Sequence, residues 1–458
     1  MPRDAELSTR CRIETVAAGL QVPWDLAFLP DGTALFTERT GQVRMIRAGR
    51  VLPDAVLRLP VFTGNKAGLL GLALDPDFAR SKHVFLAWNR AGKPAPELLV
   101  QRYRFDGGKL VEPFTLIEGI PAWTNHTGCR LVFGPRDGLL YISTGDANQP
   151  ALAQRLDSTA GKILRIAKDG SIPAGNPFRN RRDAHPAVFS YGHRNVQGMV
   201  FHPQSGVLIA SEHGPRHGDE INIVRAGANF GWPLVSHRRV APGTLEPALE
   251  ISPAVGPSAL LYYRGRMFPE LHGRLLMATL RGSSVWRFTL GADGKPVHAD
   301  RLFHKRWGRI RFLVEAPDES IWLSTSMHDP PEGAPGKEDD RILRLVADPS
   351  APMPHPLRAD PQSEEQGPTD LRHAAAPEIY ATLCAACHGE TLQGSSAPGF
   401  RDGVWRFGND EAALTRNILD GVAGTEMTAW RSLVSPTQAA ELARWILSQE
   451  SAGGKKPR

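Results

Sequence analysis

Long apolar runs are missing from this sequence. None approaches the roughly 18 residues that a bilayer-spanning helix requires, so no transmembrane segment is expected. Basic blocks are missing as well. The net charge is +6, but Lys and Arg are scattered without interleaved aromatics, which argues against nucleic-acid binding. Cysteine is scarce, with four in 458 residues. Two of these, Cys11 and Cys129, stand far apart in the sequence. They are read either as a disulfide in an oxidising compartment or as two buried thiols. The first residues, Met-Pro-Arg-Asp-Ala-Glu-Leu, are polar and lack the character of a signal peptide.

Glycine (45) and proline (38) are plentiful, which favours turns and short strands. With 41% apolar and 22% charged residues, the composition is that of a globular protein, and the length suggests two or three domains. The first 346 residues repeat one pattern: an apolar strand, a Pro-centred turn with Asp or Gly, and a second apolar strand. Copies centre on Pro30, Pro76, Pro135, Pro203, Pro269 and Pro317, at spacings of 46, 59, 68, 66 and 48. Each copy reads as a β-hairpin. The period is that of propeller blades with insertions in the middle ones. Six copies predict an all-β, six-bladed β-propeller over 1–346, with a β-sandwich as the alternative. A propeller gathers loops that are distant in sequence around a central channel.

Residues 347–372 are Pro-rich and polar, an extended linker. From 373 to 452 the periodicity turns helical and predicts a small all-α domain. Short helices are expected over 377–384, over 410–420 with Leu414, Ile418 and Leu419 inward, and over 435–447. The tail from 453 is expected to be disordered. Cys384-Ala-Ala-Cys387-His388 is the most specific signal in the chain. Two thiols at this spacing followed by His attach a c-type haem covalently, with His388 as an iron ligand. A zinc site would need a second ligand pair, and a redox C-x-x-C a βαβ setting; neither is present. Covalent haem attachment occurs outside the cytoplasm, so a leader ahead of this sequence and a periplasmic or secreted location are expected.

The order of features from 373 to 452 is similar to that of class I cytochromes c: helix, haem motif, Pro398 in a middle loop, a loop Met, then a terminal helix with Trp445. That resemblance implies Met427 as the sixth iron ligand, where thioether sulfur raises the potential. His373 is the other candidate, and a gap-filling Met is the plain alternative for Met427.

Segments of the repeat region resemble the soluble quinoprotein glucose and aldose dehydrogenases, which use pyrroloquinoline quinone (PQQ). They are Val22-Pro-Trp-Asp-Leu-Ala-Phe, 68–78, Asn125-His126-Thr-Gly-Cys-Arg-Leu, Tyr191-Gly-His-Arg194-Asn195-Val-Gln197-Gly, Glu212-His213-Gly214-Pro215 leading into Asp219-Glu220, and Arg309-Ile-Arg311. The likeness spans roughly residues 19–326. It implies His126 as the base for the sugar hydroxyl, Asp146 as the carboxylate that orients it, and Arg194 as a donor to the quinone oxygen. It also implies PQQ contacts from Asn195, Gln197, His213, Arg281, Arg309 and Arg311. A catalytic Ca²⁺ is implied on the carbonyls of Gly214 and Pro215, and a structural Ca²⁺ at Asp219 and Glu220. A neutral His suits the base role near pH 7, and arginine forks suit a cofactor bearing carboxylates. The plain alternatives are a strand-end His, surface ion pairs and a solvated Asp–Glu pair. Lys66, His213, Ser252 and Ala254 depart from the glucose enzyme's pattern, which points to an aldose or sorbosone type of substrate.

The reading is therefore a quinohaemoprotein sugar dehydrogenase that passes electrons through its haem to an external acceptor. A calcium-dependent lactonase fused to a cytochrome and a non-catalytic binding propeller are the rival readings.

Overall fold

The computed structural model describes the chain apart from residues 1, 216, 236–240, 330–334, 353–373, 390, 395–396, 402–403, 423–424, 426, 428–429, 432–433 and 452–458. Side chains at 382, 386, 387, 450 and 451 are likewise outside it. Most of the expected linker, His373 and the expected disordered tail lie outside the described residues. The chain divides into two compact units, Met1–Leu357 and Arg358–Arg458.

The first unit holds six sheets in chain order, antiparallel except for the short strand Arg3–Asp4, which runs parallel to Pro296–Leu302 at the edge of the fifth. Their innermost strands are Pro23–Phe28, Leu69–Leu74, Leu131–Phe133, Val196–Phe201, Pro257–Tyr263 and Ile310–Glu315. Each touches the next, and the last touches the first, so the ring closes. This is a six-bladed propeller. Every one of the six Pro-centred turns joins the innermost strand of a blade to its second strand. The period seen in sequence was thus the period of inner hairpins. The outer strands carry no comparable signal. The closing blade takes its outermost strand from the other end of the unit: Cys11–Ala17 pairs with Ile342–Ala347. This joins the ends of the ring by backbone hydrogen bonds.

Cys11 and Cys129 are buried thiols, not a disulfide. They lie in different apolar clusters, Cys11 with Phe268 and Trp307, Cys129 with Leu70 and Leu131. Each behaves as a small apolar residue.

Side chains stitch blade to blade at the ring's centre. Thr37 donates to Leu70 O at 2.8 Å, Ser143 to Val196 O at 3.1 Å and Ser324 to Pro23 O at 2.8 Å. Each is a second-strand hydroxyl reaching the inner strand of the next blade. Arg130, 7% exposed, does more. It pairs with Asp25 of the first blade at 2.6 Å and donates to Gln197 O of the fourth at 3.2 Å and Ser258 O of the fifth at 3.1 Å. Its guanidinium lies over Trp24, 4.5 Å from the ring centroid. A buried guanidinium is tolerable only when its donors are satisfied, and three blades supply the acceptors.

In the second unit, Ala376–Ile379, a wider π-helical turn Tyr380–Cys384 and Ala385–His388 run on from one another. Glu411–Asp420 and Pro436–Ser451 follow. Asp410 caps the middle helix through Ala413 N at 2.8 Å, and Leu414, Ile418 and Leu419 are buried as the pattern required. Ser435 and Gln438 exchange side-chain bonds with each other's backbone N–H, a capping box. The last helix runs to Ser451, further than the pattern had marked. Tyr380 and Trp445 pack at 5.1 Å between centroids and join the first helical segment to the last helix.

Arg130→Met keeps the length of the side chain but leaves Asp25 buried without its counter-charge. A loss of about 3–5 kcal/mol of unfolding free energy is expected, read by denaturant titration. The Asp25→Asn/Arg130→Met double variant should lose less than the two single losses combined, because no lone charge is left behind.

Candidate functional site

A cavity of about 310 Å³ opens at one end of the ring. Its wall comes from all six blades, at the starts of the innermost strands and the ends of the second strands. Antiparallel pairing puts those two sets of residues at the same end. Residues hundreds of positions apart in sequence therefore face one another.

His126 lines this cavity and Asp146 stands behind it, fully buried. His126 Nδ1 lies 2.8 Å from Asp146 Oδ1. Burial pushes the Asp146 carboxyl up, but the His126 hydrogen bond and charge, Arg194 and Trp232 outweigh it and hold it below its ordinary value. The ionised carboxylate only accepts, so Nδ1 carries the proton and the lone pair of the neutral ring is on Nε2. Asp146 Oδ2 accepts from the Trp232 indole N–H at 2.8 Å. The result is a chain Trp232–Asp146–His126 that fixes both tautomer and orientation.

The loops that carry this chain are tightly specified. Gly145 lies against the His126 carbonyl, and a Cβ there would fall 1.9 Å from that oxygen. Asn195 Oδ1 accepts from Gly128 N at 3.2 Å, and Gln197 Nε2 donates to Gly128 O at 3.0 Å. Both line the cavity and also clamp the peptide two residues after the base. The segment after Asp146 is held by Lys162, whose buried ammonium donates to Leu152 O, Ala153 O and Ala160 O at 2.8, 3.0 and 2.6 Å. Burial pushes its pKa down to about 7.

The opposite wall is cationic. Arg309 and Arg311 converge on the buried carboxylate Asp329, and Arg39 meets its other oxygen at 2.6 Å. Burial opposes ionisation of Asp329, but Arg311, Lys66, Arg39 and Arg309 hold its carboxyl well below the usual range. Burial pushes Arg311 down to about 10, so it stays protonated at neutral pH. Arg311 also donates to Gln197 Oε1 at 3.1 Å. Arg281 lines the cavity from an exposed position. Arg194 donates to Gly214 O at 2.8 Å, with its guanidinium over Trp232 at 5.3 Å from the centroid. His213 donates Nε2–H to Pro257 O at 2.8 Å. Burial, with Lys66 and Arg311 nearby, lowers its pKa well below 6.5 and keeps it neutral.

This wall fits an anionic planar cofactor. Arg311 Nε is a buried donor with no hydrogen-bond acceptor among the described residues, the kind of orphan that a ligand oxygen satisfies. The fit to calcium is thinner. Gly214 and Pro215 line the cavity, but two neutral carbonyl oxygens, that of Gly214 already accepting from Arg194, fall short of the six to eight Ca²⁺ takes. The remaining ligands would have to come from the cofactor and water.

Asp219 and Glu220 are not a solvated pair; both lie in the strand Asp219–Val224. Asp219 Oδ1 accepts from Gly214 N at 2.9 Å, and Oδ2 from Val255 N and Gly256 N at 2.7 Å each. Asp219 thus staples the loops that bear Gly214 and Ala254. Burial raises its pKa to about 6 despite these bonds. Glu220 is pushed well above its ordinary value by burial and by Glu212 beside it, which favours the neutral acid. The Asp219 oxygens are taken by three backbone N–H groups, and Glu220 Oε2 accepts from Asn222 Nδ2 at 2.9 Å. Among the described residues no three His, Cys, Asp or Glu side chains gather as a metal site.

Sequence reasoning missed Trp232, Asp329, Arg39 and the role of Arg130. Each acts across blades, and none sits in a motif that marks it.

In the second unit His388 Nδ1 is 2.8 Å from Pro398 O. A carbonyl only accepts, so Nδ1 bears hydrogen and the lone pair of the neutral ring is on Nε2, as an iron ligand requires. The His388 ring stacks on Phe400 at 4.4 Å. Cys384 is buried, Met427 packs against the same core, and the Cys387 side chain lies outside the described residues.

Trp232→Phe should leave Asp146 with less stabilisation of its charge, so that it holds a protonated His126 more firmly. The acid limb of a pH–rate profile is then expected to move upward by roughly half a unit to one unit. Asp146→Asn should lower turnover by about 10²-fold or more, because the His126 tautomer is no longer fixed.

Residues 20–331 match the family model described as "Glucose / Sorbosone dehydrogenase", and residues 372–446 match that described as "Cytochrome C oxidase, cbb3-type, subunit III". The chain is 35% identical over 335 residues to the aldose sugar dehydrogenase YliI of Escherichia coli, covering 68% of this chain and 89% of that protein. The solved PQQ-bound aldose sugar dehydrogenase of Streptomyces coelicolor superposes with a TM-score of 0.65 at 33% identity, covering 74% of this chain and 99% of that one. The cytochrome region is 38% identical over 86 residues to a Bradyrhizobium cbb3-type cytochrome c oxidase subunit FixP, 18% of this chain and 28% of that protein. Blade count, cavity and these likenesses agree: the chain belongs to the glucose/sorbosone dehydrogenase family and carries, after its propeller, a cbb3-type cytochrome c domain.

Proposed function

We propose that this protein oxidises an aldose-type sugar, anomeric hydroxyl to lactone or aldehyde to acid, and exports the electrons through its own haem to an external acceptor. The observation that carries this reading is the Trp232–Asp146–His126 chain facing a cationic wall, in a chain that also bears a cytochrome c domain. His126 Nε2 takes the hydroxyl proton, and the imidazolium formed is stabilised by Asp146. Arg194, Asn195, Gln197, His213, Arg281, Arg309 and Arg311 hold the cofactor. Arg194 aims charge-assisted donors at the oxygen where negative charge develops. PQQ, when bound, supplies the hydride acceptor. The carbonyls of Gly214 and Pro215 serve calcium only together with the quinone, so ion and cofactor bind cooperatively. A structural calcium at Asp219 and Glu220 would have to compete with the three backbone N–H groups on the Asp219 carboxylate.

The propeller runs through the strand Ile342–Ala347, a linker follows to about residue 372, and the haem domain occupies 373–452. Cys384 and Cys387 bind the haem covalently, with His388 and Met427 on the iron. The site of action is the periplasm or the cell exterior; among the described residues no helix is long and apolar enough to cross a membrane. A lactonase would need a cluster of carboxylates in the cavity. Among the described lining residues Asp219 is the one carboxylate, and its oxygens are taken.

Adding PQQ and Ca²⁺ to cofactor-free protein with an aldose panel should give sugar-dependent haem reduction, seen at the visible bands. No reduction with any sugar would retire the proposal. His126→Ala should abolish reduction while quinone binding, followed by fluorescence quenching, persists. Met427→Ala should lower the haem potential and open the iron to carbon monoxide, two effects visible by redox titration and absorption spectra.

A further inference from the structure

The cavity gathers many cationic side chains against few acidic ones. Arg39, Lys66, Arg194, Arg281, Arg309 and Arg311 line it. Among the described residues one lining side chain is acidic, Asp219, and three backbone N–H groups already occupy its oxygens. Asp329 lies behind the wall and offsets one charge of the arginines around it. A quinone with three carboxylates offsets three more. With Asp146 and Asp219 ionised as well, these charges come close to balance, and a bound calcium would tip the cavity to net positive. A cavity made net positive by calcium favours an anionic occupant over a neutral one.

Lys66 stands apart from the arginines. It lies in the loop that packs on the loop of the base: Lys66 N donates to Thr124 O at 2.8 Å, and Asn65 Nδ2 to Asn125 Oδ1 at 2.8 Å. The approach is close, since a Cβ on Gly64 would fall 2.8 Å from Thr124 Cγ2. Lys66 lines the cavity together with Asn65, Asn125 and His126. Lysine is a point charge on a flexible stem, suited to a carboxylate held on a mobile ligand rather than to a fixed bidentate contact.

We propose that Lys66 recognises a carboxylate on the sugar, and that the preferred substrates are acidic aldoses of the uronic acid class. This rests on the dehydrogenase reading above. With C1 at His126, the carboxylate at the other end of the ring meets Lys66. The sugar gives a hydride from C1 to the quinone and a proton from O1 to His126, and the product is the lactone of a diacid.

The test compares D-glucuronate with D-glucose in haem reduction by the PQQ- and Ca²⁺-loaded protein, at low ionic strength. Glucuronate is expected to have the higher kcat/KM. The glucuronate-to-glucose ratio should fall about tenfold in Lys66→Gln, mainly through KM, and further in Lys66→Glu. An unchanged ratio in Lys66→Gln overturns the proposal whichever sugar the unmodified protein prefers, and so does a preference for glucose. If no sugar of the aldose panel reduces the haem, the dehydrogenase reading itself fails. Calorimetry with two unreactive glycosides, methyl glucuronide and methyl glucoside, then decides on Lys66 alone. Tighter glucuronide binding that is lost in Lys66→Gln supports the assignment, and equal binding overturns it.

Discussion

The buried Arg130–Asp25 pair is the constraint on which the propeller's centre depends. A guanidinium withdrawn from water must have its donors met, and the first, fourth and fifth blades meet them. The pair therefore relates inner strands that no backbone ladder connects. Hydroxyls from Thr37, Ser143 and Ser324 do the same between neighbours. A replacement apolar core could be as stable, but it would not specify the relative setting of the blades in the same way. That setting matters because the cavity wall is assembled from all six.

Above this pin, the cavity solves an electrostatic problem. Several cations must be kept close together in a buried place without a ligand. Asp329 makes this possible by holding three arginines on one carboxylate. The His126 side is arranged the other way, with an ionised Asp146 stabilised by an indole N–H and by the imidazole it orients. One wall thus keeps positive charge poised for an anion, and the other keeps a neutral base poised for a proton. Lys162 and Gly145 belong to the same device, since one anchors the loop of Asp146 and the other lets it approach His126.

The cytochrome unit shows the same economy on a smaller scale. A single bond from His388 to Pro398 O sets which ring nitrogen can face a metal. The packing of Tyr380 against Trp445 ties the segment bearing the haem motif to the last helix. Neither feature requires a large core. A domain of this size can rely on a covalently attached cofactor to complete its interior.

The sequence by itself determined the things that are local. Six Pro-centred turns were legible because a tight hairpin needs particular residues at fixed offsets, and each does join two inner strands. The haem motif was legible because its chemistry needs two thiols and an imidazole in five consecutive positions. His126, Arg194, Arg309 and Arg311 were visible through resemblance, and all of them line the cavity. Tertiary structure alone decided what depends on meeting across blades. Trp232 stands 86 positions from Asp146, and Arg39 290 positions from Asp329. No local pattern records such a pair, because the chain between them is free to vary while the ring holds the ends together. The same reason governs Cys11 and Cys129, which only the packing could assign to separate clusters. It governs Asp219 too. The family resemblance implied a metal ligand there; that three backbone N–H groups meet on its carboxylate is visible only in the fold.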